Sequence, residues 1–406
     1  MRIIHLLSQR PSQTGSGVTL DAIVRHATDA GYDQQVVVGV PADDPAPTVG
    51  GLAADHVHPL PFGSPPLDFP IPGMSDVMPY ASTRFSQLDR AQIDAYRRAW
   101  AGHLRPILDA FKPDVIHSHH VWLMSALLKD LVPTTPVVTH CHSTGLRQIE
   151  LCPHLADGVR AGCSRNDAFV VLHRIDAERL RHDLDLDPAR IHVVGAGYRE
   201  DLFHGRGRDP ELEAALLYIG KLSAAKGLPR LLDAFEKILA HRPAVRLHVA
   251  GSGAGEGADG LRSRMDRMAP AVVQHGQLAQ PELAELARRC TVCVLPSLYE
   301  GVPLVLVEAL ACGCRLVATA LPGVMAELAP RLGDTLTGVE LPRLETVDRP
   351  HPDDLPAFID RIEKALESAI DAPPLGDPMI SMPEALADFT WARVFDRVEA
   401  VWQSLV

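Results

Sequence analysis

Long apolar runs are missing from this sequence. A transmembrane helix needs about 20 consecutive apolar residues, and no stretch of the chain comes near that length. The N-terminus, MRIIHLLSQRP, carries an apolar stretch too short for the core of a secretory signal, so the reading places the protein in the cytoplasm. Positive charge is also scarce: 39 Lys and Arg stand against 51 Asp and Glu, a net charge of −12. That balance argues against a general nucleic-acid binder, which needs a basic footprint, yet leaves room for a small basic pocket around an anion. Cysteine, at 7 in 406 residues, is too sparse for a disulfide framework. With 46% hydrophobic and 22% charged residues, the composition is that of an ordinary globular protein of two or three domains.

What is present alternates between strand and helix signals. Ile3–Leu7 reads as a buried strand, a Gly-rich turn follows at Thr14-Gly15-Ser16-Gly17, and Val18–Ala30 is amphipathic. Gln35–Val40 is a second strand, and this strand–helix–strand spacing implies a parallel sheet. The alternation continues through strands near 114–117, 136–140, 166–172 and 191–194, giving one doubly wound domain over 1–198. A second series of strands begins at Leu216, giving a domain over 199–385, with a terminal helix in 386–406. That helix carries Trp391, Val394, Phe395, Val398 and Val401 at helical spacing, so one face needs cover. Proline interrupts the rhythm twice. Residues 41–85 hold 10 of the 34 prolines and read as an insertion lying over the first domain; roughly 341–383 is a second Pro-rich stretch. Two doubly wound domains in tandem predict a ligand cleft at the carboxyl ends of their strands.

The most informative segment is Leu295-Pro-Ser-Leu-Tyr-Glu300-Gly301-Val302-Pro303-Leu304, continuing to Glu308 and Gly313. It reads as strand, short loop, helix. Free backbone N–H groups around Val302–Val305 would form an anion site at the helix start, where Pro303 costs nothing. Glu300 and Glu308 flank that site. Carboxylates repel phosphate but accept from hydroxyls, so one anion site with two acids describes a nucleotide-sugar pocket. In Tyr218-Ile-Gly-Lys221-Leu-Ser-Ala-Ala-Lys226-Gly227 a strand delivers two lysines, Lys221 and Lys226, into a turn, and lysine binds phosphate as a point charge. A third segment, Pro136-Val-Val-Thr-His140-Cys141-His142-Ser-Thr-Gly-Leu-Arg147, puts His142 at a strand end. Asp114-Val-Ile-His117-Ser-His119-His120 does the same for His119.

These motifs resemble the retaining GT-B glycosyltransferases of family 4, the glycosyl transferases of group 1. The shared elements are the E-x7-E pair Glu300/Glu308 in the context PS-x-x-EG-x-P-x-x-x-x-EA, and the element Gly220-Lys221-…-Lys226-Gly227. The resemblance implies two Rossmann-like domains facing a central cleft, with the C-terminal helix crossing back to the first. It implies an NDP-sugar donor held by Gly15, Gly17, Lys221, Lys226, Glu300, Gly301, Val302, Pro303, Leu304 and Glu308. Glu308 would take the ribose, and Glu300 the donor-sugar hydroxyls. His142, Lys226 and Glu300 would be catalytic. His119 and Arg147 would face a small soluble acceptor carrying a hydroxyl or a thiol. No cofactor beyond the nucleotide sugar and no metal is implied, because the lysines and helix N–H groups serve the leaving diphosphate. The clusters His117/His119/His120 and His140/Cys141/His142 are also good zinc-ligand material, but the metal is set aside for want of an outer acid. Cys290, Cys293, Cys312 and Cys314 lie in apolar segments and read as packing residues.

The chain departs from the family pattern where Gly195-Ala-Gly-Tyr-Arg199 opens the linker, at His173, in the insertion 41–85 and in the His/Cys-rich loop 140–154. Most of these lie on the acceptor side. Sugar, base, acceptor and oligomeric state are therefore left open. So are an epimerase or phosphorylase on the same frame, and a non-catalytic nucleotide-sugar-binding protein.

Overall fold

The computed structural model describes residues 1–406 except 12–13, 76–77, 210–212, 254, 301 and 347. The chain divides into two compact units, 1–197 with 391–406, and 198–390. The expected boundaries fall a residue later and a few residues earlier. No helix among the described residues is long and apolar enough to cross a membrane.

The first unit is built on a seven-stranded sheet. Its strands are β1 (Arg2–Leu7), β2 (Asp33–Pro41), β3 (Val57–Phe62), β4 (Val115–His119), β5 (Val137–Cys141), β6 (Ala168–Val171) and β7 (Ile191–Val193). They pair in the order β3-β2-β1-β4-β5-β6-β7, all parallel. Near-continuous apolar strands suit this arrangement, since both faces of a parallel sheet are covered. One face packs on α2 (Arg90–Phe111), which buries Ile93, Tyr96, Trp100, Leu104 and Leu108. Asp89 and Gln92 close the start of α2 with reciprocal side-chain-to-backbone bonds of 2.8 and 3.0 Å. The other face, with Ile3, Val115, Val138 and Val170, is covered by α1 (Gly15–Asp29) and by the terminal helix α11 (Trp391–Gln403). All five of the expected residues of α11 are buried, and Trp402 joins them.

Three expectations need correction here. The stretch 41–85 does not merely lie over the domain, because β3 is part of the sheet and pairs from Val36↔Val57 to Pro41↔Phe62. β3 contains Pro59 and Pro61, which discouraged a strand reading. An edge strand tolerates them, because their missing N–H groups would point away from the only neighbour. The loop expected at 140–154 is the end of β5 followed by α3 (Thr144–Leu151) and the start of α4 (Pro153–Cys163). The helix expected from Val18 begins at Gly15, where the Thr14 side chain accepts from the Gly17 N–H at 3.1 Å.

The second unit repeats the plan with six strands: β8 (Ala215–Ile219), β9 (Arg246–Ala250), β10 (Val272–Gly276), β11 (Val292–Leu295), β12 (Arg315–Thr319) and β13 (Leu336–Val339). They run in the order β10-β9-β8-β11-β12-β13, again all parallel. Alternation places Leu217, Cys293, Leu295 and Leu316 in one core layer and Leu216, Tyr218, Val292, Val294 and Val317 in the other. The Pro-rich stretch 341–383, to which the sequence reading assigned no element, contains a 17-residue helix, α10 (Leu355–Asp371), whose Phe358, Ile362, Leu366 and Ala369 are buried. Their helical spacing was there to be read; the flanking prolines masked it.

Strand order reverses beside the first strand of each sheet, between β1 and β4 and between β8 and β11, and such a reversal opens a crevice at the strand ends. In the second unit the backbone there is drawn very tight. Gly227, at φ +72°, sits so close to the Pro296 carbonyl that an added Cβ would lie 1.9 Å from its oxygen. Gly251 stands likewise against the Gly220 carbonyl, at 1.8 Å. Only glycine meets both the dihedral and the space. Gly227→Ala is therefore expected to cost about 2 kcal/mol or more. Gly15→Ala, where the added methyl meets nothing within 4 Å, should be neutral or slightly stabilising; urea unfolding of both variants checks the contrast.

Candidate active site

In the second unit, the loop after β8 carries Lys221 and Lys226, and the loop after β11 carries Ser297 and Glu300. Because β8 and β11 are neighbours at the reversal of strand order, these loops meet. Lys226 Nζ lies 2.6 Å from Glu300 Oε1. The buried Ser297 donates to the same oxygen at 2.9 Å. The Tyr218 hydroxyl donates to the Lys221 carbonyl at 2.7 Å and fixes the first half of the lysine loop, while the Lys221 side chain is exposed. Gly227 caps α6 (Leu228–Leu239) and sets the turn that holds Lys226.

The expected helix start after Glu300 is α9 (Leu304–Ala311), with Pro303 as its cap residue. No side chain caps it, and its first turn holds no acid. Its leading N–H groups and the positive end of its dipole thus remain available to an anion. Gly301 lies outside the described residues. Glu308, one turn into α9, is half-buried, and loss of hydration pushes its pKa up to about 7. The nearby thiols are inert: burial raises Cys314 to about 11 and Cys312 to about 12, and both give their Sγ hydrogens to backbone carbonyls. This matches their reading as packing residues.

The first unit assembles something different. His5, His117 and His119 alternate along β1 and β4 on one sheet face, and His140 and His142 join them from β5 and the residue after it. The rings stack: His140 and His142 are 4.3 Å apart at 9°, and His119 and His142 are 5.2 Å apart at 11°. His119 Nδ1 and His142 Nε2 are 2.9 Å apart and share one hydrogen bond. Burial, reinforced by imidazole neighbours, holds His117, His119 and His142 well below their ordinary range and His140 at about 3, so all are neutral. The backbone beside them is unusual, with His120 at φ 72° and Ser143 at φ 57°. Arg147 sits partly buried on α3.

The structure thus joins Lys226 to Glu300 and His119 to His142. Gly15 opens α1, and the Gly17 N–H, expected to face a ligand, is spent on its own helix cap. Sequence reading gave no role to Ser297, although it stands in the PS-x-x-E motif, and did not foresee the imidazole stack. The raised Glu308 value sets a pH dependence. A carboxyl favoured as the acid in the fold stabilises the protein most at low pH, and that contribution is lost as pH rises from about 4.5 through about 7. Glu308→Gln, which mimics the protonated form, should match the native protein near pH 5 and exceed it at pH 8 by on the order of 2 kcal/mol in urea unfolding.

Two family models match the chain in succession: a glycosyl transferase 4-like domain over residues 14–197 and glycosyl transferases group 1 over 213–367. Among curated proteins, the D-inositol 3-phosphate glycosyltransferase of Segniliparus rotundus is 28% identical over 67% of this chain and 66% of its own length. The chain thus spans about two thirds of that relative. Among solved structures, sucrose-phosphate synthase from Thermosynechococcus elongatus superposes with a TM-score of 0.71 at 17% identity, covering 100% of this chain and 99% of the other. The Anabaena protein HepE, solved with UDP and glucose, gives 0.62 at 16% identity, covering 99% of each chain. These two matches establish the GT-B fold, a pair of Rossmann-like α/β units. With its E-x7-E pair and lysine loop in place, the chain belongs to the group 1 glycosyltransferases, family 4 of the GT-B enzymes.

Proposed function

We propose that this chain moves a sugar from a nucleoside-diphosphate sugar to a small acceptor, with retention at the anomeric carbon and without a metal on the diphosphate. The Lys226–Glu300 contact beside the uncapped start of α9 carries the reading. An ammonium, a carboxylate and a set of free N–H groups are gathered at one end of one sheet, and a glycosyl diphosphate has complementary groups for each. When the donor binds, its diphosphate takes Lys226, Lys221 and the N–H groups of Gly301, Val302 and Leu304, with Pro303 shaping the approach. Glu300, released from Lys226, accepts from sugar hydroxyls and keeps Ser297 as its anchor. Glu308 accepts from the ribose. Lys226 exchanges one anion for another, so no new charge is stripped of water.

In the transfer step the acceptor oxygen attacks the anomeric carbon on the face that the diphosphate leaves. The bond from carbon to phosphate oxygen breaks as the new glycosidic bond forms, and the departing oxygen takes the acceptor proton. Lys226, Lys221 and the start of α9 hold the charge that develops there. In the first unit, His142 is the catalytic imidazole of this reading, and His119 and Arg147 are its acceptor-side groups, Arg147 answering a negative charge on the acceptor. A sugar or cyclitol phosphate fits that description, in keeping with the inositol 3-phosphate and sucrose phosphate in the relatives' names.

Lys226→Ala and Glu308→Ala should each lower kcat/KM by about 10²-fold or more while circular dichroism and thermal unfolding show an intact fold. Near-normal turnover in both would overturn the assignment. Nucleoside diphosphates should raise the melting temperature, since ligand at 100 times Kd adds about 2.7 kcal/mol of stability. Proton NMR of the fresh product should show the donor's own anomeric configuration; an inverted product refutes the front-face step.

A further inference from the structure

We infer that the first unit holds a divalent transition-metal ion of the zinc class on His119, His140 and His142. Each of the three offers a ring nitrogen, and these nitrogens all lie within 4.8 Å of one another; among the described residues no other group of His, Cys, Asp or Glu does this. The residues come from neighbouring strand ends in fixed register, His119↔His140, with His142 two residues further along. A rigid sheet therefore sets the spacing, which a metal site needs more than a loop provides.

The second observation is the cost of the site when empty. Both ring nitrogens of His140 and the Nε2 of His119 are buried with no hydrogen-bond partner among the described residues. Buried polar atoms almost always find a partner, and each that does not costs about 1–3 kcal/mol. Trp402 packs edge-on against His5 and His117 at the far end of the stack, and its own indole N–H is likewise buried without a partner among the described residues. A cation with open coordination positions satisfies several such nitrogens at once. The donor set decides its class. Neutral imidazoles suit zinc, cobalt, nickel or copper, whereas magnesium and calcium require carboxylate or carbonyl oxygen. Three protein ligands leave a fourth position for water or an anionic group. The single hydrogen bond between His119 and His142 is replaced when the metal arrives.

The sequence reading set a metal aside because no outer acid accompanied the histidines. Among the described residues no acid is hydrogen-bonded to the three rings; Ser143, which follows His142, donates instead to the buried Asp176 at 2.5 Å, a carboxylate that lies 3.3 Å from His173 Nε2. Three histidines are by themselves a sufficient protein ligand set for zinc. This inference does not rest on the glycosyl-transfer reading. Histidine binds metal through one nitrogen and keeps the other for a hydrogen bond, so a metal leaves one nitrogen of His142 free.

The test uses tag-free full-length protein and the metal alone. Titration with Zn2+ should show one ion per chain, and Co2+ should give the visible d–d absorption of nitrogen ligation. A zinc-edge anomalous map of a soaked crystal should place the ion about 2.0–2.1 Å from the three ring nitrogens. His119→Gln and His140→Gln should each weaken binding by more than the roughly 10–100-fold that losing an outer partner costs. His248→Gln, at the half-buried His248–His275 pair of the second unit, should leave it unchanged. Absence of an anomalous peak at the three histidines overturns the proposal even if the variants do not fold. Loss of binding in His248→Gln, with His119→Gln and His140→Gln unaffected, overturns it equally. Transfer activity is not the readout, so failure here and failure of the proposed reaction are separate results.

Discussion

Backbone pressed against backbone at the strand ends of the second unit is the constraint on which its chemistry depends. Gly227 lies against the Pro296 carbonyl and Gly251 against that of Gly220, and neither approach tolerates a side chain. The first brings the lysine loop to the loop of Ser297 and Glu300, so that an ammonium and a carboxylate meet within 2.6 Å without a long side-chain detour. An exposed ion pair contributes little by itself. This one is partly shielded, has a buried hydroxyl on the same oxygen, and stands beside a helix end without a cap. It is best understood as two charges held in readiness, each keeping the other in place.

The two units solve the problem of polar groups near a core in opposite ways. In the second, charge is kept: Lys226 and Glu300 neutralise each other, and Glu308 lingers near its titration point because burial disfavours its ionised form. In the first, charge is given up. Imidazoles are stacked ring on ring and sealed by the indole of Trp402 until none is protonated. A neutral imidazole is a ligand as well as a hydrogen-bond partner, and the same burial that removes the proton makes the nitrogen available to a metal.

Much of this was legible along the chain because the relevant chemistry is written locally. Glu300, Pro303 and Glu308 lie within one loop and helix, and Lys221, Lys226 and Gly227 within one turn, so spacing alone suggested an anion with hydroxyl acceptors beside it. The imidazole stack is different in kind. His117/His119 and His140/His142 each show the alternation of a strand, but whether the two pairs share a face depends on register between strands some twenty residues apart, settled by Ser118↔Thr139. The Ser297 bond likewise depends on the loop's final path. β3 was hidden by its prolines, and α10 by prolines at its borders, although Phe358, Ile362 and Leu366 carry a clear helical period.

The prolines of β3 have a further consequence. An outermost strand normally presents a ladder of unsatisfied amides to solvent, a template on which a stray chain can add itself and start an aggregate. Pro59 and Pro61, two residues apart in that strand, remove successive donors from that ladder. The same residues that obscure the strand to a reader of the sequence keep the sheet from growing sideways.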